Sequence, residues 1–118
     1  MKKILIVEDD MIISLVVENM VKQLGYEVVG KTDSGEEAIE LSLSLKPDII
    51  LMDIRLKGEM DGIDAVKKIN EQGHISVIYL TGNSDKQSYE RVQRTSFTDM
   101  IVKPFTLHEL SKSLKLVI

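Results

Sequence analysis

The sequence predicts an α/β fold: a doubly wound, five-stranded parallel sheet with five helices covering both faces. Three observations predict it. Short apolar runs alternate with amphipathic stretches of helical period along the whole chain. Several of the apolar runs are continuous rather than alternating, as strands buried on both faces are. A length of 118 residues fits one domain and leaves no room for a second.

The elements follow in order. Ile4–Val7 is a continuous apolar run, closed by Glu8, Asp9 and Asp10. Met11–Leu24 carries apolar residues at helical spacing and stops at Gly25, a good helix terminator. Tyr26–Gly30 is rich in β-formers. Ser34 caps a second helix, with Glu36 and Glu37 in its first turn, running to about Leu45 before Pro47 breaks it. Asp48–Met52 is a third strand, with Ile49, Ile50 and Leu51 at its centre. Asp61–Glu71 is a third helix, with Ile63, Val66 and Ile69 on one face, ended by Gly73. Ser76–Leu80 is the fourth strand, and Ser84–Arg94 a weak, polar helix. Met100–Val102 is a short fifth strand. The last helix runs from Thr106 to about Val117, with Leu107, Leu110, Leu114 and Val117 facing inward. Strands that alternate with helices make a parallel sheet joined by right-handed crossovers.

Composition excludes several classes. Hydrophobic residues at 43% and charged residues at 29% describe a folded globular chain, not a disordered one. Without cysteine there is neither a disulfide nor a thiolate metal site. A net charge of −4 argues against broad binding to nucleic acid or to an anionic membrane. Lys2 and Lys3 before an apolar run imitate a secretory signal, but Glu8 cuts the run after four residues. No run approaches membrane-spanning length, so a cytoplasmic location is the expectation.

Function in such sheets sits at the carboxyl ends of the strands. Glu8, Asp9 and Asp10 follow the first strand, Asp53 the third, Thr81 the fourth and Lys103 the fifth. Carboxylates brought together in a partly buried cleft repel one another, and at least one pKa rises. A hard divalent cation removes that conflict, and oxygen-only ligation points to Mg²⁺. A carboxylate beside a metal, a hydroxyl and an ammonium make a phosphoryl-transfer site. The carboxylate attacks phosphorus, and the cations offset charge on the phosphoryl oxygens.

Read together, these motifs resemble the response regulator receiver family over nearly the full length. Lys3-Ile4-Leu5-Ile6-Val7-Glu8-Asp9-Asp10 resembles its opening strand and acidic pair, and Asp48-Ile49-Ile50-Leu51-Met52-Asp53 its phosphoacceptor strand. Asp61-Gly62, Leu80-Thr81-Gly82 and Lys103-Pro104-Phe105 match the remaining signatures. The resemblance implies a flavodoxin-like strand order 2-1-3-4-5 and a cis Lys103–Pro104 bond. It implies that Asp53 accepts a phosphoryl group from a sensor histidine kinase or phosphotransfer protein. Glu8, Asp9, Asp53 and the backbone carbonyl of Arg55 would hold Mg²⁺, and Thr81 and Lys103 would bind the phosphoryl oxygens. Output to a downstream effector would pass through the face of the fourth helix, fifth strand and fifth helix, with Thr81, Met100 and Phe105 in the switch. Homodimerisation on phosphorylation is left open. Arg55 and Asn83 stand where family members tune hydrolysis. Such a domain catalyses only its own phosphorylation and dephosphorylation and turns over no external metabolite.

Three departures from the family pattern stand out. The loop from Asp53 to Gly62 has no proline and is one residue longer than usual. Met100 stands where a switch tyrosine or phenylalanine is common. Phe97 falls in a segment, Ser96-Phe97-Thr98-Asp99, that usually carries a small Gly-Ala pair.

Plainer readings apply to several residues. Asp10 reads as a helix cap, and Thr81 alone would read as a turn or cap hydroxyl. Met11, Met20, Met52 and Met60 read as core or loop filler. His74, His108, Arg91 and Arg94 read as solvated. Gly25-Tyr26-Glu27-Val28-Val29-Gly30-Lys31-Thr32 satisfies the phosphate-loop pattern, but a helix precedes it and a β-branched strand fills its middle, so it is a decoy. Two other functions compete: a pseudo-receiver that binds protein without productive phosphorylation, and a flavodoxin-like cofactor binder. The intact acids, Thr81 and Lys103 argue against the first. The lack of a glycine-rich phosphate turn and of flavin-stacking aromatics argues against the second.

Overall fold

The computed structural model describes residues 1–117, with Asn83 and Ser84 described by their backbone alone. Strands β1 (Lys3–Val7), β2 (Glu27–Thr32), β3 (Ile49–Asp53), β4 (Ser76–Thr81) and β5 (Asp99–Val102) form one sheet in the order β2-β1-β3-β4-β5. Every pairing is parallel. The helices are α1 (Met11–Gln23), α2 (Gly35–Leu45), α3 (Gly62–Gln72), α4 (Tyr89–Gln93) and α5 (Leu107–Leu114). This is the doubly wound, flavodoxin-like sheet that the sequence predicts.

Successive side chains of a strand point to opposite faces, so each central strand feeds two cores. Leu5, Val7, Ile50, Met52, Val77 and Tyr79 enter one, closed by Ala38 of α2, Ile63, Val66 and Ile69 of α3, and Val92 of α4. Ile4, Ile6, Ile49, Leu51, Ile78 and Leu80 enter the other, closed by Val17 and Val21 of α1 and Leu110 and Leu114 of α5. This two-sided burial is why β1 and β3 read as unbroken apolar runs. Each such side chain contributes about 1.5–3 kcal/mol relative to exposure.

Side-chain caps set the helix starts. Asp10 accepts from the Ile12 and Ile13 N–H groups, and Ser34 from Glu37 N–H. Asp61 with Asp64, and Thr106 with Glu109, form reciprocal capping boxes. Gly25 ends α1 with a φ of 90°, open to glycine at no steric cost.

Three boundaries differ from the prediction by two residues or more. Residues 83–88 wind as a 3₁₀ turn and only Tyr89–Gln93 is α-helical, where one helix over Ser84–Arg94 is expected. The segment lacks an apolar stripe, with Val92 its buried anchor, so packing does not impose a full α-helix. β2 runs on to Thr32, which pairs with Val7. α5 stops at Leu114, although Val117 still packs on the second core. Met52 is in the first core, with Met60 packed against it, and Met20 packs against the second, but Met11 is 84% exposed, a correction to its reading as filler. Among the described residues no helix is long and apolar enough to cross a membrane.

Candidate functional site

The parallel register brings the carboxyl ends of four strands to one edge. Val7 lies opposite Met52, Asp53 opposite Leu80, and Thr81 opposite Val102. Glu8 and Asp9 leave β1 there, Asp53 and Thr81 end β3 and β4, and Lys103 leaves β5. Carboxylate oxygens of Glu8, Asp9 and Asp53 lie within 4.8 Å of one another. The Lys103 ammonium donates to Asp53 Oδ1 and to Glu8 Oε1, each at 3.1 Å. Glu8 and Asp53 are each only 3% exposed. Lys103 is held in turn by its own N–H, which donates to the Thr81 carbonyl at 2.6 Å. The Lys103–Pro104 peptide is cis.

The Lys103 ammonium contacts two of the three carboxylates, and the pKa values reflect the excess of acid. Burial pushes the Asp53 carboxyl up to about 8, the neighbouring Glu8 adds to the rise, and Lys103 only partly opposes it. Burial and then Glu8 also raise Asp9, with Lys57 in opposition. Burial disfavours the Lys103 ammonium, but Asp53 and Glu8 outweigh it and raise its pKa. A cluster of hard oxygen donors with excess negative charge fits Mg²⁺.

Gly62 packs directly against the Asp53 main chain. Its N–H donates to the Ile54 carbonyl at 2.8 Å, and a Cβ at this position would collide with the main-chain carbonyl of Asp53. Ile54 is buried, with its N–H on the Leu80 carbonyl at 3.3 Å. The proline-free loop beyond is anchored by Leu56 and Met60 against the first core, and by a bridge from Lys57 to Ser34.

A family model for the response regulator receiver domain matches residues 4–115. The chain belongs to the response regulator receiver domain family. It is 32% identical over 117 residues to the transcriptional regulatory protein PdtaR of Mycobacterium tuberculosis, spanning 99% of this chain and 57% of that protein. It is 35% identical over 105 residues to the chemotaxis protein CheY of Thermotoga maritima, spanning 88% and 87%. The signal receiver domain of a modulated diguanylate cyclase from Desulfovibrio desulfuricans superposes with a TM-score of 0.93 at 30% identity, covering 100% of this chain and 94% of that one. The receiver domain of a Pseudomonas aeruginosa sensor histidine kinase, solved with magnesium coordinated in its active site cleft, gives 0.89 at 32% identity, covering 98% and 96%.

The remaining predicted residues of the receiver fall as follows. Thr81 is fully buried, and its hydroxyl has no partner among the described residues. The Arg55 side chain donates from Nε to Asp85 Oδ1 at 2.7 Å. The Asn83 side chain lies outside the described residues. Met100 is half-buried and pairs across strands with Tyr79. The aromatic volume in this region sits on β4: Tyr79 is wholly buried, its hydroxyl 2.8 Å from that of Thr95, and Phe97 meets its ring edge-on at 5.5 Å. Phe97 is therefore core filling. Phe105 is half-buried beside Pro104, along α1. His74 and His108 are exposed, and the decoy segment is a helix end followed by β2.

Arg91 corrects its reading as solvated. It donates to Asp61 at 2.8 and 3.2 Å and to Asp64 at 3.0 Å, tying α4 to the start of α3. Two further features escape the sequence reading. Asp85 is 3% exposed, a buried acidic side chain that only its fold partners explain. On α1, Ile12 is 77% and Val16 47% exposed. A signal for the second exists, since Met11-Ile12-Ile13 and Leu15-Val16-Val17 place apolar residues on more than one helix face.

Proposed function

We propose that residues 1–118 form a single receiver that switches by phosphorylation, taking a phosphoryl group from a histidine kinase or phosphotransfer protein onto Asp53 with Mg²⁺. The observation that carries this reading is the meeting of Asp53 with Glu8, Asp9 and Lys103 at one buried strand edge. An Asp53 carboxylate oxygen attacks phosphorus, the N–P bond to the donor imidazole breaks, and the imidazole leaves with the electron pair. Lys103 then balances charge on the phosphoryl oxygens, and the idle Thr81 hydroxyl gains an acceptor. Glu8, Asp9, Asp53 and the Arg55 main-chain carbonyl would hold Mg²⁺, which supplies further charge neutralisation when bound.

The donor must cover the rim of this site to reach Asp53. An apolar groove of about 320 Å³ starts there at Lys103 and runs between Pro104, Phe105 and Ile12, Val16 and Met20 of α1. It suits the apolar flank of a donor helix presenting phosphohistidine. Output passes to an effector through α4, β5 and α5.

Intact-protein mass after incubation with Mg²⁺ and acetyl phosphate, beside Asp53→Asn, tests the reading. One phosphoryl group that requires Mg²⁺ and disappears in the variant is expected. No adduct in rapidly quenched, folded protein would leave a pseudo-receiver.

A further inference from the structure

We propose that Asp85 is a positioning residue that ties the Thr81–Gly82 peptide to the Arg55 side chain and holds the receiver in its unphosphorylated arrangement. This rests on Asp53 being the phosphoryl acceptor.

Asp85 lies in the 3₁₀ turn after β4 and is 3% exposed. Its Oδ2 accepts from the Gly82 N–H at 2.7 Å, and its Oδ1 from Arg55 Nε at 2.7 Å. Its own N–H donates to the Gly82 carbonyl at 3.1 Å, so Gly82 is gripped on both sides. Gly82 follows Thr81 directly, and Arg55 comes two residues after Asp53. One buried carboxylate therefore joins the two chain segments that flank the acceptor. In this arrangement the Thr81 hydroxyl is buried and unpartnered among the described residues.

Phosphorylation turns the Asp53 carboxylate into an acyl phosphate of about −1.5 to −2 charges, a net gain of about one negative charge carried further out from the strand. The phosphoryl group competes with Asp85 for the nearby guanidinium and pulls on the peptide that carries Thr81. When either partner yields, Asp85 is left as a buried carboxylate missing a donor, an arrangement that is strongly disfavoured. The 3₁₀ turn then shifts until the charge is solvated, and α4 follows it. Beyond the turn α4 is held by one core side chain, Val92, and by Arg91 on Asp61 and Asp64, a joint that rests largely on charged side chains. This relay works through charge and needs no aromatic at Met100. Its two states are biased by the group on Asp53, and by reciprocity the relay biases phosphorylation of Asp53.

The test uses Asp85→Asn, Arg55→Gln and the double variant. Asparagine keeps an oxygen for the Gly82 N–H but loses the ion pair. Arg55→Gln breaks the same pair from its exposed side, which serves if Asp85→Asn unfolds. Two quantities are read: the rate of Mg²⁺-dependent phosphoryl gain from acetyl phosphate, and the amide shift change of Tyr89–Gln93 on adding Mg²⁺ and beryllofluoride. Each folded single variant is expected to gain phosphoryl about three to five times faster than wild type and to lose most of the α4 shift change. The double variant should be no faster than either single. Wild-type rates and shifts in the variants, or single effects that multiply in the double, overturn the relay while the acceptor reading stands. A wild type that takes no phosphoryl group overturns both.

Discussion

Replacing Asp53 should make the Mg²⁺-free protein more stable. Glu8 and Asp53 share one ammonium at equal distances of 3.1 Å, with Asp9 close by. In Asp53→Asn the amide keeps the shape, accepts from Lys103 and leaves Glu8 and Lys103 as a one-to-one pair. The folded pKa of Asp53 is raised to about 8, above the unfolded value near 4. The folded protein therefore holds this proton more tightly. Stability from this group is complete below about pH 4 and is lost as pH rises towards 8. The limiting slope in that window is about 1.4 kcal/mol per pH unit. Relaxation and water at the open rim reduce the realised gain at pH 7.5 to about 1–3 kcal/mol. For a chain of this size that is a rise in Tm of roughly 4–12 °C. Thermal unfolding of both proteins in EDTA from pH 4 to 8 measures it. The gap should open with pH and close near pH 4. Added Mg²⁺ at ten times its Kd should raise wild type by about 1.4 kcal/mol and the variant by much less. A variant less stable than wild type in EDTA at pH 7.5, with an unchanged urea m-value, would refute the account of carboxylate crowding.

Three further outcomes are expected. Gly62→Ala pushes a methyl group into the Asp53 carbonyl and should cost about 2–4 kcal/mol in urea unfolding, where an ordinary helix-start Gly→Ala is near neutral. Thr81→Val removes a buried hydroxyl that has no partner among the described residues. It should leave the apo fold unchanged or up to about 1 kcal/mol more stable while weakening beryllofluoride binding about tenfold, read by calorimetry. Ile12→Lys with Val16→Glu on the exposed side of α1 should slow phosphoryl transfer from a phosphorylated histidine kinase about tenfold or more, yet leave acetyl phosphate labelling alone. Equal losses with both donors would remove the docking role of the groove.

Much of this molecule is legible in the sequence because two periodicities do most of the folding. β1 and β3 read as unbroken apolar runs since Leu5 and Ile6, or Ile50 and Leu51, serve opposite cores. The parallel sheet then gathers whatever follows each run on one edge, so Glu8, Asp9, Asp53, Thr81 and Lys103 can be named before their distances are known. Asp85 and Arg91 are not legible that way. Each is one polar residue among many in a weakly patterned stretch, and its partner lies 30 residues earlier. Only the assembled fold brings Arg55 and Asp61 to them. Ile12 and Val16 pass unnoticed for a different reason. Helical spacing assigns the inner face of α1 to the core and does not ask what covers the outer one.

Met100 bears on where this receiver can move. A rotating side chain at this position would have to pass Tyr79, its cross-strand neighbour. Tyr79 is fully buried, hydrogen bonded to the Thr95 hydroxyl, which donates to the Val92 carbonyl at 2.7 Å, and braced by Phe97. Opening that cluster exposes an aromatic ring and breaks two hydrogen bonds. The 3₁₀ turn and α4 are built otherwise. Val92 is the buried side chain of α4, and the tethers are ion pairs whose arginines are 62% and 38% exposed. A half-exposed pair such as that of Arg91 is worth a few tenths to about 1 kcal/mol, and one with a buried carboxylate, as at Asp85, costs more to break. Local opening of residues 85–93 should therefore cost about 2–5 kcal/mol, Val92 included, while β4 opens only with global unfolding at roughly 5–15 kcal/mol. Native-state amide exchange distinguishes them. Tyr89–Gln93 should exchange in seconds to minutes without denaturant dependence, and Val77–Leu80 on the global isotherm. Protection of α4 equal to that of β4 would place the mobile element elsewhere, since a segment that opens only with the whole fold cannot serve as a local switch.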